Sequence, residues 1–384
     1  MKQIRILLIQ KQQKVQEKKY NDTIITHKWE RFMKWCFFSL GIGIFIIIFC
    51  TRCGKDNSNN YNWEDVQIGI IETNGNEKNS EIKFYNKELK EINHLPIEDA
   101  TLGNIFHNPI VYQDFLYVIP QGYAYSKDEK KVLEVNLKNL EKKEYKIDQL
   151  AMNSICVNND FIYTCNTLNG DSYINQCNKK NEKVRSKKIK SIYISKLVCD
   201  ESNIYAFGTS LERSKVRSYI FLYDQNLKLK DKIDITEYGI CHYKAILNDK
   251  YLIFSNAENS ENKPNDLVTI FSIENKTFEN IKLNKNYPLD LGIYKNYLII
   301  SHYDLARLSE GGVSIYNLET KEHKYFELSH GVEQMWLLNS YIYILGDQDI
   351  YQYKIDNGKI KLENTVDIRM NNKENYLSGI FAVK

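Results

Sequence analysis

Four of the seven histidines stand where they could bind a metal ion or transfer protons. His107 and His242 occupy matching positions, each shortly before a short apolar segment, and His302 and His330 lie in other polar connections. Imidazole is a common metal ligand and an acid or base near neutral pH. The four residues belong to different units of the repeat described below, which sets them across a wide channel. We therefore interpret them as solvated loop histidines and expect no metal ion and no cofactor.

Aromatic, arginine and acidic residues in the same connections could contact a carbohydrate or a peptide. Aromatic and arginine side chains dominate the energetics of most binding interfaces. The candidate binding residues are Tyr238, His242, Tyr303, Asp304, Arg307, His330 and Trp336.

Motifs of common enzyme classes are absent from the sequence. It contains no Walker loop, no GxSxG, no HExxH and no EF-hand spacing. Carboxylates are numerous but scattered, so no glycosidase pair can be chosen. We assign no catalytic residue and favour a binding scaffold for a protein or a cell-envelope ligand. The alternative is a propeller hydrolase or lyase that acts on envelope glycans or peptides.

The strands that flank these connections can be recognised from a repeat in the sequence. A polar turn followed by an aromatic or aliphatic run recurs at roughly 42 to 48 residues, the period of a propeller blade. The copies start at Gln113, Asn159, Glu201, Asp249, Lys295 and Asn339. Each run is preceded by a short apolar strand and followed by two more strands, of which the last is the most polar. Charged residues suit an outer edge strand because they discourage edge-to-edge aggregation.

Six complete four-stranded units fit between about residues 104 and 368, and the two ends of the chain supply a seventh. Residues 66–71, 82–86 and 89–92 resemble the second, third and fourth strands of a unit, and 377–383 resemble the missing first strand. The sequence therefore predicts an all-β, seven-bladed β-propeller over 63–384, closed by pairing of the carboxyl-terminal strand with the amino-terminal blade.

These repeats resemble the broad YVTN- or WD40-like group of propeller repeats and the extracytoplasmic propeller proteins of bacteria. The resemblance covers about residues 62–384 and implies a fold rather than an activity. No Gly-His opens a unit, no Trp-Asp closes its third strand, and the pair Gly311-Gly312 occurs in one unit alone.

Connection lengths suggest which face of the propeller binds. The turns between first and second strands and between third and fourth strands are short. The connections that share the other face are longer and irregular, and functional surfaces use this freedom of loops. We therefore predict a binding face around the channel mouth on the long-loop side, formed by 96–107, 120–130, 209–217, 255–265 and 301–311.

The amino-terminal region predicts a membrane attachment. Residues 1–34 are polar and basic, 35–51 carry no charge, and 52–62 form a polar tether. An apolar run of about 17 residues is the lower limit for a spanning helix and near the upper limit for a signal-peptide core. The basic flank places 1–34 in the cytoplasm and the propeller outside. The segment 35–51 is thus a transmembrane or signal-anchor helix.

A second interpretation starts translation at Met33. The sequence then resembles a bacterial lipoprotein signal, with Cys53 or Cys50 as the lipidation candidate. Arg52 and Phe49 depart from the small residues that should precede a lipidated cysteine. Both interpretations predict a propeller at the cell membrane, on its extracytoplasmic side.

Composition limits the other partners. The formal net charge of +3 gives no case for a nucleic-acid-binding surface. Five of the eight cysteines lie in the repeat region, in or beside expected strands. We interpret these as small buried residues, with a disulfide framework as the alternative.

Overall fold

In the computed structural model of the chain, the described residues are 63–104, 106–123, 130–210, 216–240, 242–304, 309–346, 348–368 and 370–383. They contain one short 3₁₀ helix, Trp63–Asp65, and twenty-eight strands. No helix among these residues is long and apolar enough to cross a membrane. The predicted arm, the helix at 35–51, the tether and Cys53 lie outside the described residues.

Seven four-stranded antiparallel sheets form the domain, and we number them as blades 1 to 7. Blade 1 has the order β28-β1-β2-β3, and in each of the others the strands follow in chain order. The bounds in blades 1 to 4 are as follows: β1 (Ile68–Thr73), β2 (Ser80–Tyr85), β3 (Glu91–Ile97) and β28 (Tyr376–Ala382); β4 (Ile110–Tyr112), β5 (Phe115–Val118), β6 (Lys131–Asn136) and β7 (Lys142–Lys146); β8 (Met152–Val157), β9 (Phe161–Leu168), β10 (Asp171–Asn178) and β11 (Val184–Ile189); β12 (Ile192–Cys199), β13 (Asn203–Ser210), β14 (Ser218–Asp224) and β15 (Leu229–Asp234). Those in blades 5 to 7 are these: β16 (Ala245–Leu247), β17 (Tyr251–Glu258), β18 (Pro264–Ser272) and β19 (Phe278–Lys282); β20 (Pro288–Tyr294), β21 (Tyr297–Asp304), β22 (Ser309–Asn317) and β23 (His323–Glu327); β24 (Gln334–Leu338), β25 (Tyr341–Leu345), β26 (Asp349–Asp356) and β27 (Lys359–Asp367).

The first strands of the blades surround a central channel. Strands β4, β8, β12, β16, β20, β24 and β28 contact one another in a closed circle, and we call them the inner strands. The second and third strands of each blade are mostly buried, whereas outer strands such as β11 and β15 are largely exposed. The predicted seven-bladed all-β propeller is therefore confirmed.

Asparagine and aspartate build the turns between inner and second strands. The side-chain oxygen of Asn158 accepts hydrogen bonds from the backbone N–H groups of Asp160 and Phe161, at 3.2 and 2.9 Å. Asn248 does the same for Lys250 and Tyr251. Such side chains stabilise tight turns by bonding the backbone two or three residues on. This explains why the turns on this face are short and similar in length.

Two of the predicted long loops are mostly strand. Strands β17 and β18 extend to Glu258 and from Pro264, and β21 and β22 extend to Asp304 and from Ser309. In blade 3, a two-residue turn joins β9 to β10, with Asn169 and Gly170 at positive φ. The long-loop face is therefore less irregular than the sequence predicts, because paired backbone continues into the expected loops.

Both ends of the domain meet in blade 1. Strand β28 pairs antiparallel with β1, and Ile70 lies opposite Ile380. The ring of Phe381 packs over Gly69, where a Cβ atom would lie 2.1 Å from it. Val383 also donates its backbone N–H to the carbonyl of Gln67, at 2.9 Å. The pairing of the carboxyl-terminal strand with the first blade is thus the one expected from the sequence.

A buried ion pair supports this junction. The Nζ atom of Lys83 lies 2.6 Å from Oε2 of Glu72, and their side chains are 5 % and 0 % exposed. The Oε1 atom of Glu72 accepts a hydrogen bond from the backbone N–H of Asn371, at 2.8 Å, and another from the side chain of Asn375. One carboxylate therefore ties β1 and β2 to the segment that leads into β28.

Substitution of Glu72 by glutamine is expected to lower the free energy of unfolding by about 2 kcal/mol, because it weakens the charged hydrogen bonds of this junction. Glu81, 3.9 Å from Lys83, still provides partial compensation of charge. The measurement is urea unfolding of Glu72→Gln beside Glu88→Gln, which alters an exposed turn residue. Equal midpoints for the two variants would contradict the role given to Glu72.

Candidate functional site

One connection between blades crosses the channel. The described part of the loop between β3 and β4 includes Asn104 and 106–109. The side chain of Gln334, in blade 7, donates to the carbonyl of Asn104 at 3.0 Å. The ring of Phe106 lies 5.9 Å from that of Tyr243, which precedes blade 5. This loop therefore occupies the channel mouth on the long-loop side.

The exposure of the inner strands shows where the channel is open. In β20 and β24 the first residues are buried and the last are partly or largely exposed, and Ile293 near the end of β20 is 37 % exposed. A cavity of about 330 Å³ lies between the inner strands of blades 2 and 4 to 7. It extends from Asn108 and Asp290 to Ile293 and Leu337, and so opens on the face of the short turns.

The floor of the cavity is a polar network from several blades. Lys244 Nζ lies 3.2 Å from Asp290 Oδ1 and also donates to Asn108 Oδ1. Asn108 Nδ2 lies 3.3 Å from Asp290 Oδ2 and 3.0 Å from the carbonyl oxygen of Met335. The backbone N–H of Met335 donates to Asp290 Oδ2 at 2.8 Å. The network spans blades 2, 5, 6 and 7 and satisfies both charges that it contains.

Lys196 extends this floor on the side of blade 4. A β-bulge at Ser195 interrupts the pairing of β12 with β13, and bulges re-aim the side chains beside them. Lys196 lines the cavity and is 7 % exposed. Burial, followed by the repulsion of Lys244, lowers the pKa of Lys196 to about 8. In the described part of the chain, its ammonium group has no hydrogen-bond or ion-pair partner.

The walls near the mouth are apolar. They include Trp336 and a group of aliphatic residues from blades 2, 5, 6 and 7: Ile110, Ile246, Ile293 and Leu337. A cavity with apolar walls and a few convergent polar groups is typical of ligand-binding sites. Of the predicted binding residues that the structure describes, Trp336 is the one that lines this cavity.

Two predicted residues of blades 4 and 5 lie away from it. Tyr238 is half-buried, packs on Phe278 at 4.7 Å between ring centroids, and has its pKa raised to about 12 mainly by burial. His242 is fully buried, and Nδ1 lies 3.3 Å from the carbonyl oxygen of Ser255. The expectation of solvated loop histidines is wrong for His242, whose ring packs between Phe207 and Phe254. It is also wrong for His107 and His302, which are buried.

Three predicted residues belong to the junction of blades 6 and 7. Tyr303 and Asp304, expected in a loop, end strand β21 and are buried. His330 is half-buried, stacks on Tyr351 at 3.5 Å and shares a hydrogen bond of 2.7 Å with the Tyr353 hydroxyl. Burial lowers the pKa of His330. Arg307 lies outside the described residues. These contacts make the described members of the group part of the protein's own packing.

The buried His242 gives a testable pH dependence. Burial lowers its pKa to about 4, so the unfolded chain takes up a proton here at higher pH than the folded chain. Stability therefore falls as the pH drops from 6.5 towards 4, by up to about 3 kcal/mol from this residue. Urea unfolding at several pH values should show a smaller acid loss in His242→Leu than in the wild type. His94→Leu, at an exposed position, serves as the control, and parallel curves would contradict the assignment.

The residues of the cavity floor, Asn108, Lys196, Lys244 and Asp290, are not among those predicted from the sequence. A signal was present, since Lys196 and Lys244 stand at equivalent positions of neighbouring blades, three residues before each inner strand ends. A charged residue within an apolar inner strand, as for Lys196, or directly before one, as for Lys244, is unusual, because charges are rarely buried without partners. Among the described residues, no three His, Cys, Asp or Glu side chains form a group that could hold a metal ion.

Comparison with known proteins adds information on the fold alone. No protein-family model and no curated protein matches the chain. Among solved structures, a candidate 6-phosphogluconolactonase from Bacteroides fragilis is similar, with a TM-score of 0.56 and 14 % identity over 84 % of this chain and 99 % of that one.

Two further structures show a comparable similarity. Hydrazine synthase from Kuenenia stuttgartiensis has a TM-score of 0.51 and 14 % identity, over 67 % of this chain and 78 % of that one. Hsv2 from Kluyveromyces lactis has a TM-score of 0.51 and 11 % identity, over 79 % of this chain and all of the other. Such identities establish shared architecture rather than shared activity. By that architecture and its own strand pairing, the chain is a seven-bladed β-propeller protein.

Proposed function

We propose that this protein is a binding scaffold that holds part of a protein or cell-envelope ligand in the cavity of its central channel. The observation that carries the proposal is the cavity itself, with a polar floor contributed by several blades and apolar walls. A closed ring of sheets holds these groups at fixed distances, and a preformed site reduces the cost of ordering on binding.

We also propose that the propeller is held on the extracytoplasmic side of the cell membrane by the segment 35–51, or by a lipid at Cys53. The apolar run and its basic flank support this attachment. Fractionation of the full chain is expected to recover it with membranes, and recovery in the soluble fraction would argue against both forms of anchor.

A second candidate function is a hydrolase or lyase that acts on envelope glycans or peptides. The observation that favours it is Lys196, because a buried lysine with a pKa of about 8 is partly neutral near pH 7 and can act as a base or a nucleophile. Against this, the carboxylate of Asp290 is fully engaged with Lys244, Asn108 and Met335. The fold is compatible with both classes, since the similar structures include enzymes.

The test is retention of ligands from an envelope extract by the full chain and two tryptophan variants. Ala245→Trp puts a bulky side chain at a residue that lines the cavity and also packs against the core around Phe207 and Phe254. Glu261→Trp places the same side chain on an exposed turn of the long-loop side. We expect a ligand that binds the wild type and Glu261→Trp but not Ala245→Trp, with thermal unfolding as the check on folding. Loss in Glu261→Trp alone would move the binding site to the long-loop face, and turnover of a bound glycan or peptide would favour the enzyme.

A further inference from the structure

The cavity contains one more positive charge than its own residues neutralise. Its lining includes Lys196, Lys244 and Asp290, and Asp290 is the only acidic residue among the described residues that line it. Lys244 and Asp290 form an ion pair of 3.2 Å that Asn108 completes. The Lys196 ammonium, on a side chain that is more than nine-tenths buried, is attracted by Asp290 but forms no ion pair with it, so it faces the cavity without a contacting counter-charge among these residues.

Among the described residues, the other titratable groups around Lys196 do not supply that charge. Burial raises the pKa of the Cys165 thiol to about 12 and that of the Cys156 thiol well above its usual value, so both keep their protons near pH 7. His107, which both lysines influence, has its pKa lowered well below its usual value by burial and is neutral. An uncompensated buried charge is costly, and a bound anion would remove that cost.

The walls of the cavity also indicate the chemistry of the part of the ligand that carries the anionic group. Above the polar floor, the walls are Ile110, Ile246, Ile293, Leu337 and Trp336, which offer no charged group to a ligand. A volume of about 330 Å³ is at the lower end for small-molecule sites. It suits a compact head group with a short stem that leads out through the short-turn face.

We propose that Lys196 binds a compact anionic group, a carboxylate or a phosphate, on a ligand whose apolar stem lies against Trp336 and the aliphatic mouth. The inference rests on the proposed function, because it uses the same cavity. It assigns Asn108, Lys244 and Asp290 to the support of the floor and Lys196 to the recognition of the ligand.

Calorimetric titration of the full chain with acetate, hexanoate and inorganic phosphate tests the head group and the stem separately. We expect one anion per chain, with affinity rising about three- to fourfold for each added methylene until the mouth is filled. The ratio of the acetate and phosphate affinities then identifies the preferred head group. Binding of none of the three anions would overturn the proposal.

The substitution Lys196→Met tests whether the charge of Lys196 binds the anion. The substitution removes the charge but keeps an apolar side chain of similar length, so the melting temperature should not fall while anion affinity drops at least tenfold. Lys228→Met, at an exposed turn of the same blade, should bind like the wild type. Unchanged anion affinity in folded Lys196→Met would overturn the assignment. If the envelope ligand is lost in Ala245→Trp but kept in Lys196→Met, binding in the channel is supported and the anionic contact is wrong.

Discussion

Removal of residues 376–384 is expected to abolish cooperative unfolding of the propeller. The deletion takes away the inner strand of blade 1, including Leu377, Ile380 and Phe381, which are at most 1 % exposed. It leaves the buried strand β1 with an unpaired edge and opens the circle of inner strands. An exposed apolar edge strand pairs readily with other chains. Circular dichroism during heating and size-exclusion chromatography should show loss of the sharp transition and association of the variant.

A single substitution tests the same strand without truncation. Phe381→Ala should lower the free energy of unfolding by about 3 to 5 kcal/mol, the usual cost of removing a buried aromatic ring. The ring is edge-on to Phe84 at 6.4 Å between centroids, so its removal leaves a cavity between β28 and its neighbours. Lys361→Ala on the exposed strand β27 is the control.

For the deletion of 376–384, an unchanged melting curve would refute the closure of the ring through blade 1.

Substitution of Asp290 is expected to have the next largest effect. Asp290→Ala leaves Lys244 buried beside Lys196 without its carboxylate partner, and breaking one side of a buried ion pair costs about 3 to 5 kcal/mol. It also removes the acceptor of the Met335 backbone N–H, so β20 and β24 lose a connection. Urea unfolding near pH 7 measures the loss.

A double variant separates charge from packing. Asp290→Ala with Lys244→Met should recover most of the loss, because no unpaired charge remains in the floor except that of Lys196. With Lys244→Met alone as the third variant, the cycle gives the coupling energy of the pair as the loss of the double variant minus the sum of the two single losses. Equal losses in Asp290→Ala and the double variant would show that Asp290 acts through its hydrogen bond to Met335 rather than through its charge.

The blades could be predicted from the sequence because their information is local. Each run such as 295–300 follows a polar turn at a repeated spacing. The polarity of the fourth strand in each unit also indicates that this strand is exposed at the outer edge of its blade. The seventh blade was also predictable, since 377–383 supplied the one strand that the first unit lacked. The structure places 377–382 in β28, beside β1.

The candidate site could not be predicted in the same way because it depends on contacts between distant parts of the chain. Asn108 meets Lys244, Asp290 and Met335, which are more than a hundred residues away. Nothing in a repeat period shows that the loop before β4 crosses the channel. The burial of His242 was missed for a related reason, since the two phenylalanines that enclose its ring, Phe207 and Phe254, lie on strands β13 and β17.

Blade 1 combines strands from both ends of the domain, and this affects how the chain folds during its synthesis. Strand β1 is among the first parts of the domain to be made, and its inner partner β28 is among the last, about 300 residues later. At about 5 to 20 residues per second, β1 waits roughly 15 to 60 s for that partner. Every residue of β1 is buried in the finished ring. The growing chain therefore needs protection at this one strand until its final residues emerge.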